Sequence, residues 1–301
     1  LDGFGVLDYL NAKKMCKDLT TIILTNVDEV ETEIRGLESG AVDYIRKPLN
    51  SDSLLKRVQV HTRLIRAQRE IIKHNELLEH RVRERTAQLE LSRNIMVDAL
   101  IGLLEMRDAE SSNHCRRTQW MIRALGYELM RNSEYGDQID EEWINYVFKT
   151  APLHDVGKVG ILDYILRKPG KLTVDEFEVM KTHVQIGVDA LHKSLKQYGS
   201  ERFVQVGLQL IRDHHEHFDG HGYPYGRSGQ DISLEGRMMA VVDVYDALAH
   251  ERIYKKALSH QEALKIIKEE SGKHFDPVVV NAFINIEDEI IKITEKFKVF
   301  D

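Results

Sequence analysis

Thiols are scarce in this chain: Cys16 and Cys115 are its only cysteines, and they lie far apart. Two such residues build no disulfide framework, so a reducing, cytoplasmic setting is the expectation. Long hydrophobic runs are missing too. No apolar stretch approaches the roughly 18 residues needed to cross a bilayer, so no membrane association is expected. No stretch of the sequence reads as a signal peptide, but the chain opens at Leu1 rather than at a methionine and is expected to begin inside a longer protein, which leaves N-terminal signals open. Positive charge is in deficit, with 42 Lys and Arg against 49 Asp and Glu and a net charge of −7. General nucleic-acid binding is therefore not expected, and a polyanionic ligand would need a local basic patch. Internal repeats and low-complexity tracts are absent.

What is present is ordinary globular composition, 42% hydrophobic and 30% charged over 301 residues, enough for about two domains with their own cores. Residues 1–60 read as a βα alternation. Thr21–Thr25 is a short buried-strand candidate, Glu29–Ser39 a helix closed by Gly40, and Val42–Ile45 a second strand stopped by Lys47-Pro48. Residues 61–98 contain no Gly or Pro and are rich in Glu, Arg and Leu. Leu64, Ile71 and Leu78 fall at one heptad position, and Val82, Leu89 and Met96 at the complementary one, with Asn75 at a core position that would help fix register. Arg85 and Ser92 interrupt the first series. A long linker helix pairing as a parallel homodimer is expected, with a single helix packed along its own domain as the alternative. Residues 99–301 read as all-α, so the fold class is mainly α.

Two histidine clusters mark this last stretch: Leu153-His154-Asp155-Val156-Gly157-Lys158, and His214-His215-Glu216-His217-Phe218-Asp219-Gly220-His221-Gly222-Tyr223-Pro224. A His-Asp pair supplies an imidazole and a carboxylate at one point, which suits a site with more than one metal ion. The candidate ligands are Glu110, His114, His154, Asp155, His183, His214, His215 and Asp243. Their wide separation lets each group come from a different helix of a bundle and project inward. Glu110 and His114 would share a helix face. Asp155 could bridge two ions through its two oxygens, His154 ligating one, while His183, His214 and His215 complete the other. Asp243 lies in an apolar helical segment, where a carboxylate is costly to bury unless paired or metal-bound. Imidazole and carboxylate donors without thiolates favour iron, manganese or zinc. Two such ions can clamp both oxygens of an in-line phosphoryl displacement. Taken singly, His183 reads as a core histidine, Glu110 as an exposed helical residue, His217 and His221 as loop residues, and Asp246 as a helix-surface or supporting carboxylate.

Two resemblances sharpen these expectations. Residues 1–60 resemble the C-terminal half of a response-regulator receiver domain, on Asp2-Gly3, Thr25, Gly40-Ala41-Val42-Asp43-Tyr44 and Lys47-Pro48. The resemblance implies that Thr25 and Lys47 contact a phosphorylated Asp lying before Leu1, with a sensor histidine kinase as partner. From residue 98 onward the chain resembles the HD-GYP domain, a branch of the HD phosphohydrolases. The motifs are Arg107-Asp108, Glu110, His114-Cys115-Arg116-Arg117, His154-Asp155 through Ile161, Lys168 through Thr173, His183, His214-His215-Glu216, Asp219 through Pro224, Asp243 through Leu248, Arg252-Ile253-Tyr254-Lys255 and Phe275-Asp276-Pro277. This resemblance implies an all-α domain with a two- or three-metal centre, of iron or manganese, that hydrolyses cyclic di-GMP to GMP through pGpG. Glu110 occupies the position that implies a third ion. Arg252 and Lys255 match positions that hold the substrate phosphates, Lys158 adds charge near the leaving group, and Tyr223 shapes the pocket or a partner surface, diguanylate cyclases being such partners. Ile253 and Ala249-His250 depart from the family pattern near Arg252. The alternatives are a non-catalytic cyclic dinucleotide receptor or scaffold, and an HD hydrolase for another nucleotide.

Overall fold

The computed structural model describes residues 3–13, 19–26, 30–107, 113–198, 202–250 and 257–297. Glu110, Arg252 and Lys255, with Cys16 and Asp2, lie outside the described residues. The chain divides into two compact units, Leu1–Leu91 and Ser92–Asp301.

In the first unit, helix α1 (Gly3–Ala12) precedes strand β1 (Ile22–Thr25), helix α2 (Val30–Glu38) and strand β2 (Asp43–Arg46). The strands pair in parallel, Ile22 opposite Asp43 and Thr25 opposite Arg46. Gly40 turns the chain out of α2 with φ +94°, a conformation that costs glycine nothing. The Lys47 N–H donates to the Thr25 carbonyl at 2.8 Å, so these two residues stand side by side where the strand pair ends. Strand β2 sits one residue later than expected and ends at Arg46. That register leaves Asp43 facing Arg57, whose guanidinium donates to both of its oxygens at 2.9 Å.

Helix α3 (Ser51–Arg107) is a single 57-residue helix that overruns the expected linker at both ends. Its start follows Asn50, whose side chain accepts from the Ser53 N–H at 3.0 Å and whose carbonyl accepts from the Leu54 N–H. Beyond residue 98 only Gly102 is a weak helix former, and one glycine is not enough to stop a helix already propagating. The apolar residues at the heptad positions are exposed: Leu64, Ile71, Leu78, Val82, Leu89 and Met96 are 47–71% accessible.

The second unit is built from α4 (His114–Asn132), α5 (Glu141–Thr150), α6 (Asp163–Leu166), α7 (Val174–Tyr198), α8 (Arg202–Asp213), α9 (Leu234–Ala249), α10 (His260–Glu269), α11 (Pro277–Asn285) and α12 (Glu287–Lys296). Its ends are set by local chemistry. Asp140 accepts from the Trp143 N–H at 2.6 Å to open α5, Ser259 and Glu262 form a capping box on α10, and Asp276 caps α11 ahead of Pro277. Helix α4 turns one face inward, with Met121, Ile122, Leu125 and Leu129 fully buried at helical spacing. Helix α9 is buried nearly all round from Glu235 to Val242, which marks it as the central helix. The carboxyl end of α3 is tied into this unit by Arg107, which donates to the Val159 and Ile161 carbonyls at 2.7 and 3.1 Å and pairs with Asp163.

Candidate metal centre

Six elements meet at one buried point. His114 opens α4, His183 lies within α7, and Asp243 lies on α9. His154 and Asp155 sit between two short 3₁₀ turns, Ala151–Leu153 and Val156–Gly160, and His214 and His215 follow the end of α8. The expectation that every ligand projects from a helix is thus corrected for His154, Asp155, His214 and His215. Neighbouring residues on a helix point about 100° apart, so two adjacent residues converge on one site more readily where the helix has given way.

The side chains form two groups whose donor atoms lie within 4.8 Å of one another: His114, His154 and Asp243, and Asp155, His183, His214 and His215. Asp155 joins them. Its Oδ2 is 3.1 Å from Nε2 of His154, while its Oδ1 is 3.2 Å from Nε2 of His183 and 3.9 Å from Nε2 of His214. Nε2 of His114 is 3.5 Å from Oδ1 of Asp243.

The second nitrogen of each ring fixes the chemistry of the first. Nδ1–H of His154 donates to the Ala151 carbonyl, that of His183 to Met180 and that of His214 to Ile211, each at 2.8 Å. A carbonyl can only accept, so Nδ1 carries the proton and Nε2 presents a lone pair. Those three Nε2 atoms and Oδ1 of Asp155 are buried without a hydrogen-bond partner. Converging buried lone pairs left unpaired are costly unless a cation fills the space between them, and the donor set suits a divalent ion without thiolates.

Burial strips protons from the two adjacent imidazoles, His214 and His215. It pushes His214 down to about 3, helped by His154, and takes His215 well below the usual histidine range. His154 goes the other way: burial opposes its protonation, but Asp155 and Asp243 outweigh it. Burial also works to raise Asp155, yet Lys158 and His154 hold it well below the ordinary carboxylate range. The Lys158 ammonium stands 2.8 Å from Oδ2 of Asp155.

Close backbone packing brings the His-Asp turn to α7. A Cβ at Gly157 would stand 1.8 Å from the His183 carbonyl oxygen, so only glycine allows this approach. On the other side, Glu216 is buried and accepts from the main-chain N–H groups of Tyr225 at 2.7 Å and Arg227 at 3.0 Å, stapling the Gly-rich turn. Gly222 passes so close to His217 that a Cβ there would lie 2.2 Å from its nitrogen. Tyr223, carried by this turn, stacks on His215 with ring centroids 4.6 Å apart. Burial, reinforced by Asp155 and Asp243, raises its phenol well above the ordinary value, so it stays protonated.

His217 stacks on His274 at 3.8 Å and His221 is exposed beside Asp219, so neither joins the two groups. Asp246 is not on the helix surface: it is buried against His114, Arg117 and His250. Sequence reasoning gave no role to Glu216 or Gly157, and for Asp246 it held a supporting carboxylate as one of two readings without naming the residues it meets. The i, i+3 spacing of Asp243 and Asp246 on one helix was the available signal for the last.

Residues 98–279 match the family described as HD domain. The chain is 41% identical over 298 residues to a probable cyclic di-GMP phosphodiesterase of Vibrio cholerae, the match covering 99% of this chain and 68% of that protein. It is 34% identical over 298 residues to a cyclic di-GMP phosphodiesterase response regulator of Xanthomonas campestris, covering 99% of this chain and 75% of that protein. It is also 35% identical over 210 residues to a 3'3'-cGAMP-specific phosphodiesterase of Vibrio cholerae, covering 66% of this chain and 38% of that protein.

Proposed function

The chain belongs to the HD domain family, and from that premise we propose that it is a metal-dependent phosphodiesterase that hydrolyses cyclic di-GMP to GMP by way of pGpG. The observation that carries the proposal is Asp155, whose Oδ2 faces Nε2 of His154 and whose Oδ1 faces Nε2 of His183 and His214, three buried nitrogens that make no hydrogen bond. His114, His154 and Asp243 would hold one divalent ion, His183, His214 and His215 another, and Asp155 both. Glu110 would add a ligand for a third. Iron or manganese suits these nitrogen and oxygen donors. Bound there, such ions supply Lewis-acid charge and activate water for attack on a phosphodiester.

The chain's own groups do the rest. The carbonyl-anchored histidines hold their lone pairs in place without rearrangement. Lys158, held 2.8 Å from Asp155, sets a positive charge at the edge of the site, where it meets the charge developing on the leaving oxygen. The Tyr223 hydroxyl, kept protonated, donates to a phosphate oxygen. Arg252 and Lys255 would grip the two phosphates, the Arg fork matching their oxygens.

The relative named as a response regulator supports the regulatory half of the proposal. Residues 1–60 would be the C-terminal half of a receiver domain, with Thr25 and Lys47 adjacent at the strand ends, phosphorylated by a sensor histidine kinase. Residues 61–98 would pair as a coiled-coil homodimer, 99–301 would be the catalytic domain, and the setting would be the cytoplasm. Among the described residues no helix is long and apolar enough to cross a membrane. A second substrate reading has its own support, since one relative is named for 3'3'-cGAMP.

The test is anaerobic incubation of ferrous-loaded protein with cyclic di-GMP and, separately, 3'3'-cGAMP, the products being resolved by chromatography over time. pGpG followed by GMP is expected from cyclic di-GMP. Exclusive turnover of 3'3'-cGAMP would reassign the substrate. Tight binding of either without product would make the domain a receptor.

A further inference from the structure

His114 differs from the other candidate ligands in what holds its far nitrogen. His154, His183 and His214 are each anchored by a main-chain carbonyl three residues back, a neutral acceptor supplied by their own turn. His114 is the first residue of α4. Its Nδ1 instead lies 2.7 Å from Oδ2 of Asp246, on α9 and far away in sequence.

Asp246 is itself built in. It is 2% exposed and receives Nε of the fully buried Arg117 at 2.7 Å on one oxygen and an Nη of the same guanidinium at 3.0 Å on the other. His250 approaches at 3.1 Å. A guanidinium donating to both oxygens is the partner of a carboxylate, and Arg117 fixes the orientation of the group. Asp243 and Asp246 are one turn apart on α9, and the His114 ring lies between them, with Asp243 on its Nε2 side at 3.5 Å and Asp246 on its Nδ1 side.

We propose that Asp246 is the positioning residue of the His114, His154 and Asp243 site, setting the tautomer, orientation and donor strength of His114 and through them the affinity of that site for its ion. A carboxylate behind an imidazole keeps the proton on Nδ1 and pushes electron density toward Nε2, more strongly than a carbonyl does. The imidazoles of the centre are therefore held in two ways. His154, His183 and His214 depend on a carbonyl of their own turn, and His114 depends on the register between α4 and α9. This inference rests on the metal-binding reading of the centre.

The experiment uses the full chain, stripped of metal and titrated with Co2+ under ligand-field absorption, with circular dichroism to check the fold. Asp246→Asn keeps the shape and removes the charge. Asp246→Asn is expected to weaken one equivalent of Co2+ by about 10–100-fold, the range for losing such a supporting group, and to leave another equivalent at wild-type affinity. His114→Ala should lose the same equivalent, and the double variant His114→Ala/Asp246→Asn should bind no more weakly than His114→Ala. A wild-type titration from Asp246→Asn overturns the proposal, as does further loss in the double variant, since Asp246 would then act other than through His114. If Asp246→Asn fails to fold, the zinc-loaded wild type carries the test by NMR. The His114 Nδ1–H resonance, identified by its loss in His114→Ala, should lie downfield of those of His154, His183 and His214. A position among theirs would overturn the proposal. A wild-type protein that takes up no Co2+ would instead refute the metal reading itself.

Discussion

The central helices of the second unit and the long helix of the first treat their apolar residues in opposite ways. In Ser92–Asp301, α4 and α9 place Met121, Leu125, Leu129, Met238 and Val241 at 0% exposure, and the chain satisfies itself. In Leu1–Leu91, the helix carries Leu64 and Ile71 at 59% and 60% exposed, one heptad apart. The second pattern is not a failed core. Apolar residues that recur every seven positions on a helix bearing no glycine or proline from 61 to 98 are the ones the proposed coiled-coil pairing would cover. The imidazole centre stands apart from the other buried polar groups of the second unit: Asp246 and Glu216 are hydrogen-bonded, whereas Nε2 of His154, His183 and His214 converge without a hydrogen-bond partner.

The largest effect is expected at the imidazole centre. Asp155→Ala removes the one carboxylate shared by both groups, so both ions should be lost and turnover should fall to background, read by elemental analysis and product chromatography. Retention of full turnover would break the bridging role. Next is the seam. Ile71→Lys with Leu78→Lys places charge on the dimer stripe and should convert a dimer to a monomer in light scattering, while the calorimetric unfolding of Ser92–Asp301 stays unchanged. A wild type that is already monomeric would remove the reason for the exposed rows. In the self-sufficient core, Leu125→Ala should cost about 3 kcal/mol in denaturant unfolding, the usual result of emptying a fully buried leucine site.

The smallest effect concerns Glu235, buried on α9 and pushed up to about 7 by burial, with Asp213 adding to the shift. Near pH 4.5 its carboxyl is largely protonated in the folded state, and the cost of burying the charge is absent. As pH rises through 7 the folded protein must hold a buried carboxylate that the unfolded chain leaves in water, so stability is lost. Glu235→Gln should therefore raise Tm at pH 8, on the order of 5 °C, and give no gain at pH 4.5. A gain that does not depend on pH would show that the charge is not the cause.

Much of this architecture was legible from residue patterns because the signals are local. Long helix α3 announces itself by missing breakers, and the strand pair by short apolar runs between turn residues. The candidate ligands stood out because histidines adjacent to Asp155 and to each other are hard to explain as surface or core residues. Other features depended on contacts distant in sequence. That Gly157 is needed for the approach to His183 follows from how the His-Asp turn packs on α7, and that Asp246 meets His114 from how α4 packs on α9; the i, i+3 spacing of Asp243 and Asp246 gives a shared helix face but not the partner. The start of α3 at Ser51 was missed because the Asn50 cap lies outside the heptad pattern used to find the helix.

The most direct test of the joined centre is anomalous diffraction at the iron edge from crystals of the ferrous-loaded protein. Two peaks roughly 3.5–4 Å apart are expected, one against each oxygen of Asp155. A third peak beside them would place Glu110 in the centre as well. No peak, or a single peak away from Asp155, would contradict the shared-carboxylate centre on which the proposed activity depends.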